Sequence, residues 1–190
     1  MILIIDNFDS FTYNLVQYIG NITANMQIIK NNELSLDEIK KIDPSHIVIS
    51  PGPGRPTETG ICFDVINNIS KTTPTLGICL GHQAIAYNYN GKIIQSENIM
   101  HGKTSIISHD KKSKLFNNIP QKFSATRYHS LCVDRNFKHQ DINITSWSDD
   151  QEIMSLEHKK YPIYGIQFHP EAILTENGMQ IIKNFIKVIV

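Results

Sequence analysis

Along the first half of the chain, short unbroken apolar runs alternate with longer segments whose apolar residues recur at helical spacing. Residues 2–5, 26–29, 46–49 and 75–79 have the length and branched side chains of strands, and residues 11–19, 36–42 and 62–69 read as the helices between them. Strands that are apolar throughout, rather than at every second residue, are covered on both faces. Alternating with helices, they imply a parallel sheet. A further helix is expected at 82–90. The second half is richer in strands, at 92–95, 104–108, 130–134, 142–148, 152–158 and 163–167, and an amphipathic helix from about 178 to 189 closes it. No repeat or low-complexity linker interrupts the pattern. The expected architecture is a single α/β domain over residues 1–190. Its sheet is open and mostly parallel, with helices on both faces and additional antiparallel strands in the C-terminal half.

Composition narrows the function classes. A chain of 190 residues, 41% hydrophobic and 19% charged, has the balance of a soluble globular protein with a substantial core. Lys plus Arg and Asp plus Glu both total 18, so there is no electrostatic case for nucleic acid or an anionic membrane as partner. No apolar run approaches the roughly 20 residues that span a bilayer. The start, Met1-Ile-Leu-Ile-Ile5-Asp6, lacks the basic opening of a signal peptide and the Arg/Ser richness of a transit peptide. It reads as a first core strand, which predicts that the chain is not secreted and works where it is made, in the cytoplasm or, if organelle-encoded, the plastid stroma. Three cysteines without paired spacing are no disulfide framework.

Open parallel sheets place their sites at the carboxyl ends of strands, and three features fall there. Gly77-Ile78-Cys79-Leu80-Gly81 lies between a strand and a helix. Small residues on both sides permit a sharp turn that exposes the thiol, and the helix N-terminus favours negative charge on it. Taken alone, the segment fits a buried strand-end cysteine equally well. The second feature is Phe168-His169-Pro170-Glu171. A carboxylate two residues beyond a histidine can fix the tautomer of its ring and leave the other nitrogen to face the thiol. The third, Pro51-Gly52-Pro53-Gly54, is stiff, and its glycines let backbone approach a ligand. It has neither the Lys-Ser/Thr of a phosphate loop nor dinucleotide-binding spacing. Together the three describe cysteine–histidine amide cleavage, with Cys79 as nucleophile, His169 as base, Glu171 as its orienting group, and the Leu80 and Gly52 N–H groups as oxyanion donors. His82, His101, His129 and His169 are not at metal-ligand spacing. His101-Gly-Lys103 and Arg127-Tyr-His129-Ser-Leu131 are polar clusters that either line a site or cap strands. Cys62 and Cys132 read as structural.

Taken together, Gly77-Ile-Cys79-Leu-Gly-His-Gln83, Gln167-Phe-His169-Pro-Glu171 and the upstream Pro51–Gly54 segment resemble the class I (triad) glutamine amidotransferases over essentially the whole chain. Asp6-Asn-Phe-Asp-Ser-Phe-Thr-Tyr-Asn14, His101-Gly-Lys103 and Arg127-Tyr-His-Ser-Leu131 look like the chorismate-pathway branch. That branch holds the glutaminase subunits of anthranilate synthase and of para-aminobenzoate synthesis. The resemblance implies a flavodoxin-like fold and hydrolysis of glutamine through a glutamyl thioester. It also implies glutamine-holding positions at Gly52, Pro53, Gly54, Gln83, Ser130 and Leu131, and delivery of ammonia to a chorismate-binding component I. No cofactor is implied in this subunit; the Mg²⁺ of such a complex would belong to the synthase chain. One departure stands out: Ala172 occupies a position where the family commonly has serine, which removes a hydroxyl donor beside Glu171. A partner-binding module without activity, or a thiol peptidase, are the competing classes. The first has no use for an activated thiol, and Gln83 and Ser130-Leu131 disfavour the second.

Overall fold

The computed structural model describes residues 1–189. In the first half, β1 (Ile2–Asp6), β2 (Met26–Lys30), β3 (His46–Ile49) and β4 (Thr75–Ile78) alternate with α1 (Thr12–Gly20), α2 (Leu36–Ile42) and α3 (Cys62–Asn68), and α4 (Leu80–Asn88) follows β4. The second half contributes β5 (Ile93–Gln95), β6 (Lys103–His109), β7 (Lys122–Arg127), β8 (Leu131–Val133), β9 (Ile142–Ser148), β10 (Ile153–His158), β11 (Ile163–Ile166) and α5 (Gly178–Ile186). Nine strands form one sheet in the order β2-β1-β3-β4-β11-β10-β9-β6-β7, and β5 and β8 pair separately. The run from β2 to β11 is parallel, and from β11 to β7 every pairing is antiparallel. This is the expected α/β sheet with its antiparallel extension.

In β1, β3 and β4 the apolar runs are explained by two cores, one on each face, whereas β2, at the sheet edge, leaves Gln27 and Ile28 exposed. In β1, Leu3 and Ile5 pack with Ile39 of α2, Val65 and Ile66 of α3, and Ala84 and Ile85 of α4. Ile2 and Ile4 point the other way, into a core with Leu15 and Ile19 of α1 and Ile181 and Phe185 of α5. With both faces buried, a strand favours apolar residues at successive positions. Local signals fix the helix ends: α2 starts at a capping box in which the Ser35 side chain and backbone and Glu38 satisfy each other.

Most elements match expectation within a few residues at each end, and three differences bear on the site. The helix after β4 begins at Leu80, two residues earlier than expected, because Cys79 itself is its N-cap. Strand β7 was not anticipated: its buried positions are Phe123, Ala125, Thr126 and Arg127, and a fully buried arginine disguises an inward-facing site as a surface one. The strand expected at 163–167 stops at Ile166. Beyond it the sheet curls round, so that His169 N donates to Thr126 O of the edge strand β7 at 3.0 Å. That curl sets the catalytic candidate at the carboxyl end of the parallel strands.

Candidate active site

Cys79 occupies the turn from β4 into α4 with φ 52° and ψ −99°, a conformation an L-residue holds only where its surroundings force it. Its N–H donates to Ile166 O at 2.8 Å and its carbonyl accepts from Gln83 N at 3.0 Å, so the strained residue is tied to β11 and to the first turn of α4. The flanking glycines are steric requirements. A Cβ on Gly77 would lie 2.4 Å from the carbonyl of Gly81, and one on Gly81 would lie 2.7 Å from the carbonyl oxygen of Ile49. Helix and strands therefore touch backbone to backbone under the thiol. As the first residue of α4, Leu80 has an N–H outside the helix's own ladder.

His169 and Glu171 are both buried, and His169 Nδ1 is 2.7 Å from Glu171 Oε1. A carboxylate can only accept here, so Nδ1 carries a proton. Nε2, on the other side of the ring, has no hydrogen-bond partner. Burial by itself pulls the imidazole down; the Glu171 charge, its hydrogen bond and the nearby Cys79 sulfur outweigh this and hold His169 well above its ordinary value. Two aromatic rings clamp the imidazole edge-on, Tyr128 at 5.2 Å and Phe11 at 5.7 Å between centroids, and they lie 4.8 Å from each other. Thr175 Oγ1 donates to His169 O at 2.6 Å. Glu171 Oε2 is buried with no partner, in the neighbourhood where Ala172 supplies no hydroxyl.

A cavity of about 180 Å³ opens on Cys79. Of the positions expected to surround it, Gly52, Pro53, Gly54, Leu80, Gln83, Ser130 and Leu131 all do, joined by Tyr128 and His129. Gln83 Nε2 donates to Leu131 O at 2.8 Å and to Gln167 Oε1 at 3.1 Å, and Gln167 Nε2 reaches Cys79 Sγ at 3.4 Å. Gln167 stands within a motif read from the sequence, yet its contact with sulfur carried no sequence signal beyond its place two residues before His169. Nothing in the sequence pattern marks Tyr128 or Phe11 as neighbours of His169.

Behind the cavity wall lies an ion cluster. Arg127, wholly buried, donates from Nη1 to Asp150 Oδ1 and Ser105 Oγ, both at 2.9 Å, and from Nη2 to Glu152 Oε2. Its Nε donates to His129 Nε2 at 3.1 Å. Burial first, and the Arg127 charge second, push His129 down to about 3, so this histidine is a neutral wall residue. His82 is entirely buried and pushed down to about 4 by burial, packed against Gly165. Cys62 and Cys132 are buried and pushed up to about 12 by desolvation, consistent with structural thiols. Among the described residues no group of His, Cys, Asp and Glu is arranged to hold a metal, and no helix is long and apolar enough to cross a membrane.

The chain is similar to known proteins in sequence and in fold. The family model for class-I glutamine amidotransferases matches residues 3–189. The chain is 51% identical to the anthranilate synthase component 2 of Porphyra purpurea, the match covering 98% of each. It is 44% identical to the aminodeoxychorismate synthase component 2 of Escherichia coli, over 98% of this chain and 99% of that one. The match to the bifunctional protein TrpGD of Thermotoga maritima, at 49% identity, spans 98% of this chain but only 32% of that longer protein. In fold, it superposes on a glutamine amidotransferase crystal structure from Thermotoga maritima with a TM-score of 0.71, covering 98% of this chain and 80% of that one at 17% identity. The chain belongs to the class-I glutamine amidotransferase family.

Proposed function

We propose that this chain is the glutaminase subunit of an anthranilate synthase, with Cys79, His169 and Glu171 as its catalytic triad. The observation that carries the chemistry is the His169–Glu171 pair at 2.7 Å with Nε2 left unpartnered beside a strained Cys79. In the first half-reaction, Cys79 Sγ attacks the side-chain carbonyl carbon of glutamine, and the carbonyl oxygen takes negative charge beside the Leu80 and Gly52 N–H groups. As the C–N bond breaks, the His169 imidazolium gives its proton to the departing nitrogen, releasing ammonia and leaving a glutamyl thioester. His169, now neutral, takes a proton from water as that water attacks the thioester. The C–S bond breaks, glutamate leaves, and the thiolate–imidazolium pair returns. Glu171 holds the ring and its charge throughout. Gly52, Pro53, Gly54, Gln83, Ser130 and Leu131 hold the substrate, and none of these steps calls on a metal or organic cofactor in this chain.

The ammonia goes to a chorismate-binding component I, to which any Mg²⁺ of the complex belongs. Large apolar side chains fit the surface that such a partner covers: Ile173 is 94% and Leu174 60% exposed immediately after the triad, and Phe8 is 55% exposed beside the Pro53–Gly54 loop. Similarity to components 2 of both branches supports a second reading, delivery to an aminodeoxychorismate synthase partner or to both. Reconstitution with each synthase chain separates them: glutamine that supports only aminodeoxychorismate formation overturns the anthranilate assignment. In the correct complex, Cys79→Ala abolishes product formation from glutamine and leaves formation from ammonia. A folded, partner-bound variant that loses both activities refutes the triad role of Cys79.

A further inference from the structure

We infer that Asn7 is a positioning residue for the oxyanion loop, acting through Ser50 on Gly52; the inference rests on the glutaminase reading above. Asn7 follows β1 directly and Ser50 follows β3, adjacent parallel strands, so both stand at the carboxyl edge where the order of strand addition reverses. The two residues are bonded twice. Asn7 N donates to Ser50 Oγ and Asn7 Nδ2 donates to Ser50 O, each at 2.9 Å. Ser50 Oγ in turn donates to Pro51 O at 2.7 Å, at the start of the loop.

The other end of the Asn7 amide is held as well. Its Oδ1 accepts from Asn31 Nδ2 at 2.8 Å and faces the buried Cys62 thiol at 3.7 Å. A main-chain carbonyl such as Ser50 O can only accept, so it is the amide nitrogen of Asn7 that faces it, which fixes the orientation of the side chain. Asn7 is buried, and leaving either end of a buried amide unpaired is costly. The side chain therefore has one position.

Gly52 sits against that fixed point. A Cβ on Gly52 would fall 2.6 Å from Asn7 Cβ, 2.8 Å from Asn7 O and 2.8 Å from Leu80 Cδ2. Its α-carbon thus packs directly against both Asn7 and Leu80, the other proposed oxyanion residue. Asn7 touches neither the cavity nor the sulfur; it sets the distance between the two donors. Oxyanion stabilisation falls steeply when donors are displaced, because donors help only where charge develops. The aspartate–asparagine segment at the end of β1 acquires a role that no motif reading gave it.

The test is a steady-state comparison of the reconstituted complex with Asn7→Ala, Asn7→Asp and Asn31→Ala. Asp keeps the volume and the acceptor for Asn31 but puts an oxygen opposite Ser50 O, so a volume-filling role tolerates it and a positioning role does not. Expected are a fall in kcat for glutamine of about 10- to 100-fold for both Asn7 variants, a smaller fall for Asn31→Ala, and a glutamine KM within about threefold of wild type. The rate of Cys79 alkylation by iodoacetamide and the ammonia-dependent activity should stay at wild-type values, showing an intact nucleophile and fold. Wild-type kcat in Asn7→Asp overturns the inference, as does a fall in ammonia-dependent activity that parallels the loss with glutamine in all three variants. If the wild-type complex hydrolyses no glutamine, it is the glutaminase reading that fails.

Discussion

Gln167 Nε2 stands 3.4 Å from Cys79 Sγ while its Oε1 accepts from Gln83 Nε2 at 3.1 Å, so one buried amide joins the nucleophile to the cavity wall. Replacing it with leucine removes the donor to sulfur and frees Gln83 to rotate, although Gln83 keeps its bond to Leu131 O. Gln167→Leu is expected to lower kcat/KM for glutamine by about 5- to 50-fold, the equivalent of roughly one to two lost hydrogen bonds, mostly through KM. Steady-state kinetics of the complex check this; unchanged kcat/KM would show that the sulfur contact is incidental.

The His169–Glu171 pair predicts a pH signature. His169 is held above its ordinary value of 6.5 in the folded chain, with Glu171 the leading favourable cause against the cost of burial. A raised folded value stabilises the fold at pH below 6.5 and loses that contribution as pH rises through the folded value. Glu171→Gln removes the charge. Its stability deficit relative to wild type is expected to be widest on the acid side of neutrality and to narrow as the pH rises, read from urea midpoints across pH. In the proposed mechanism the imidazolium protonates the departing amide nitrogen, so the alkaline limb of the kcat profile should move to lower pH in the variant. A limb that stays in place separates Glu171 from His169.

What was legible in the chain was whatever is short-range. The central parallel strands read from the sequence because a strand covered on both faces is a continuous apolar run, as in Ile2–Ile5. The site reads because its parts come as contiguous motifs: Gly77–Gly81 needs two glycines for one turn, and Glu171 reaches His169 across a single proline. The rest depends on contacts between distant segments. Phe11 and Tyr128 meet over His169 only because the sheet curls and brings Thr126 beside His169. Strand β7 hid behind Arg127, whose charge reads as exposed until Asp150 and Glu152, from the turn before β10, are placed against it. No periodicity encodes such a partner.

That cluster makes a stability prediction. Arg127→Met leaves the Glu152 carboxylate buried without its guanidinium, and breaking a buried pair from one side costs about 3–5 kcal/mol. Arg127→Met combined with Glu152→Met removes the buried pair and leaves only the partly exposed Asp150 without its partner, and chemical denaturation should show most of that loss recovered. Equal destabilisation by the single and the double variant would mean that packing by the arginine stem, not charge, is what matters.

The glycines under the thiol allow a sharper test, because two of the chain's glycines at helix ends have opposite surroundings. A methyl group on Gly81 would lie 2.7 Å from the carbonyl oxygen of Ile49, a backbone atom that cannot rotate away. Gly81→Ala therefore wedges the start of α4 away from the end of β3, the strand that leads into Ser50 and the oxyanion loop. Overpacking of this kind costs about 1–3 kcal/mol, but the displacement also separates Leu80 from Gly52, so activity should fall further than stability, by about 100-fold or more in kcat. Gly20, the last residue of α1, is the control: its added methyl would meet only the flexible end of Met26 at 3.5 Å. Gly20→Ala is expected to keep full activity and to gain a few tenths to about 1 kcal/mol from reduced backbone freedom in the unfolded chain. Parallel urea melts and glutamine assays on the two variants decide it. If Gly81→Ala retains wild-type kcat at whatever stability, the backbone contact between α4 and β3 is not what holds the oxyanion donors in place.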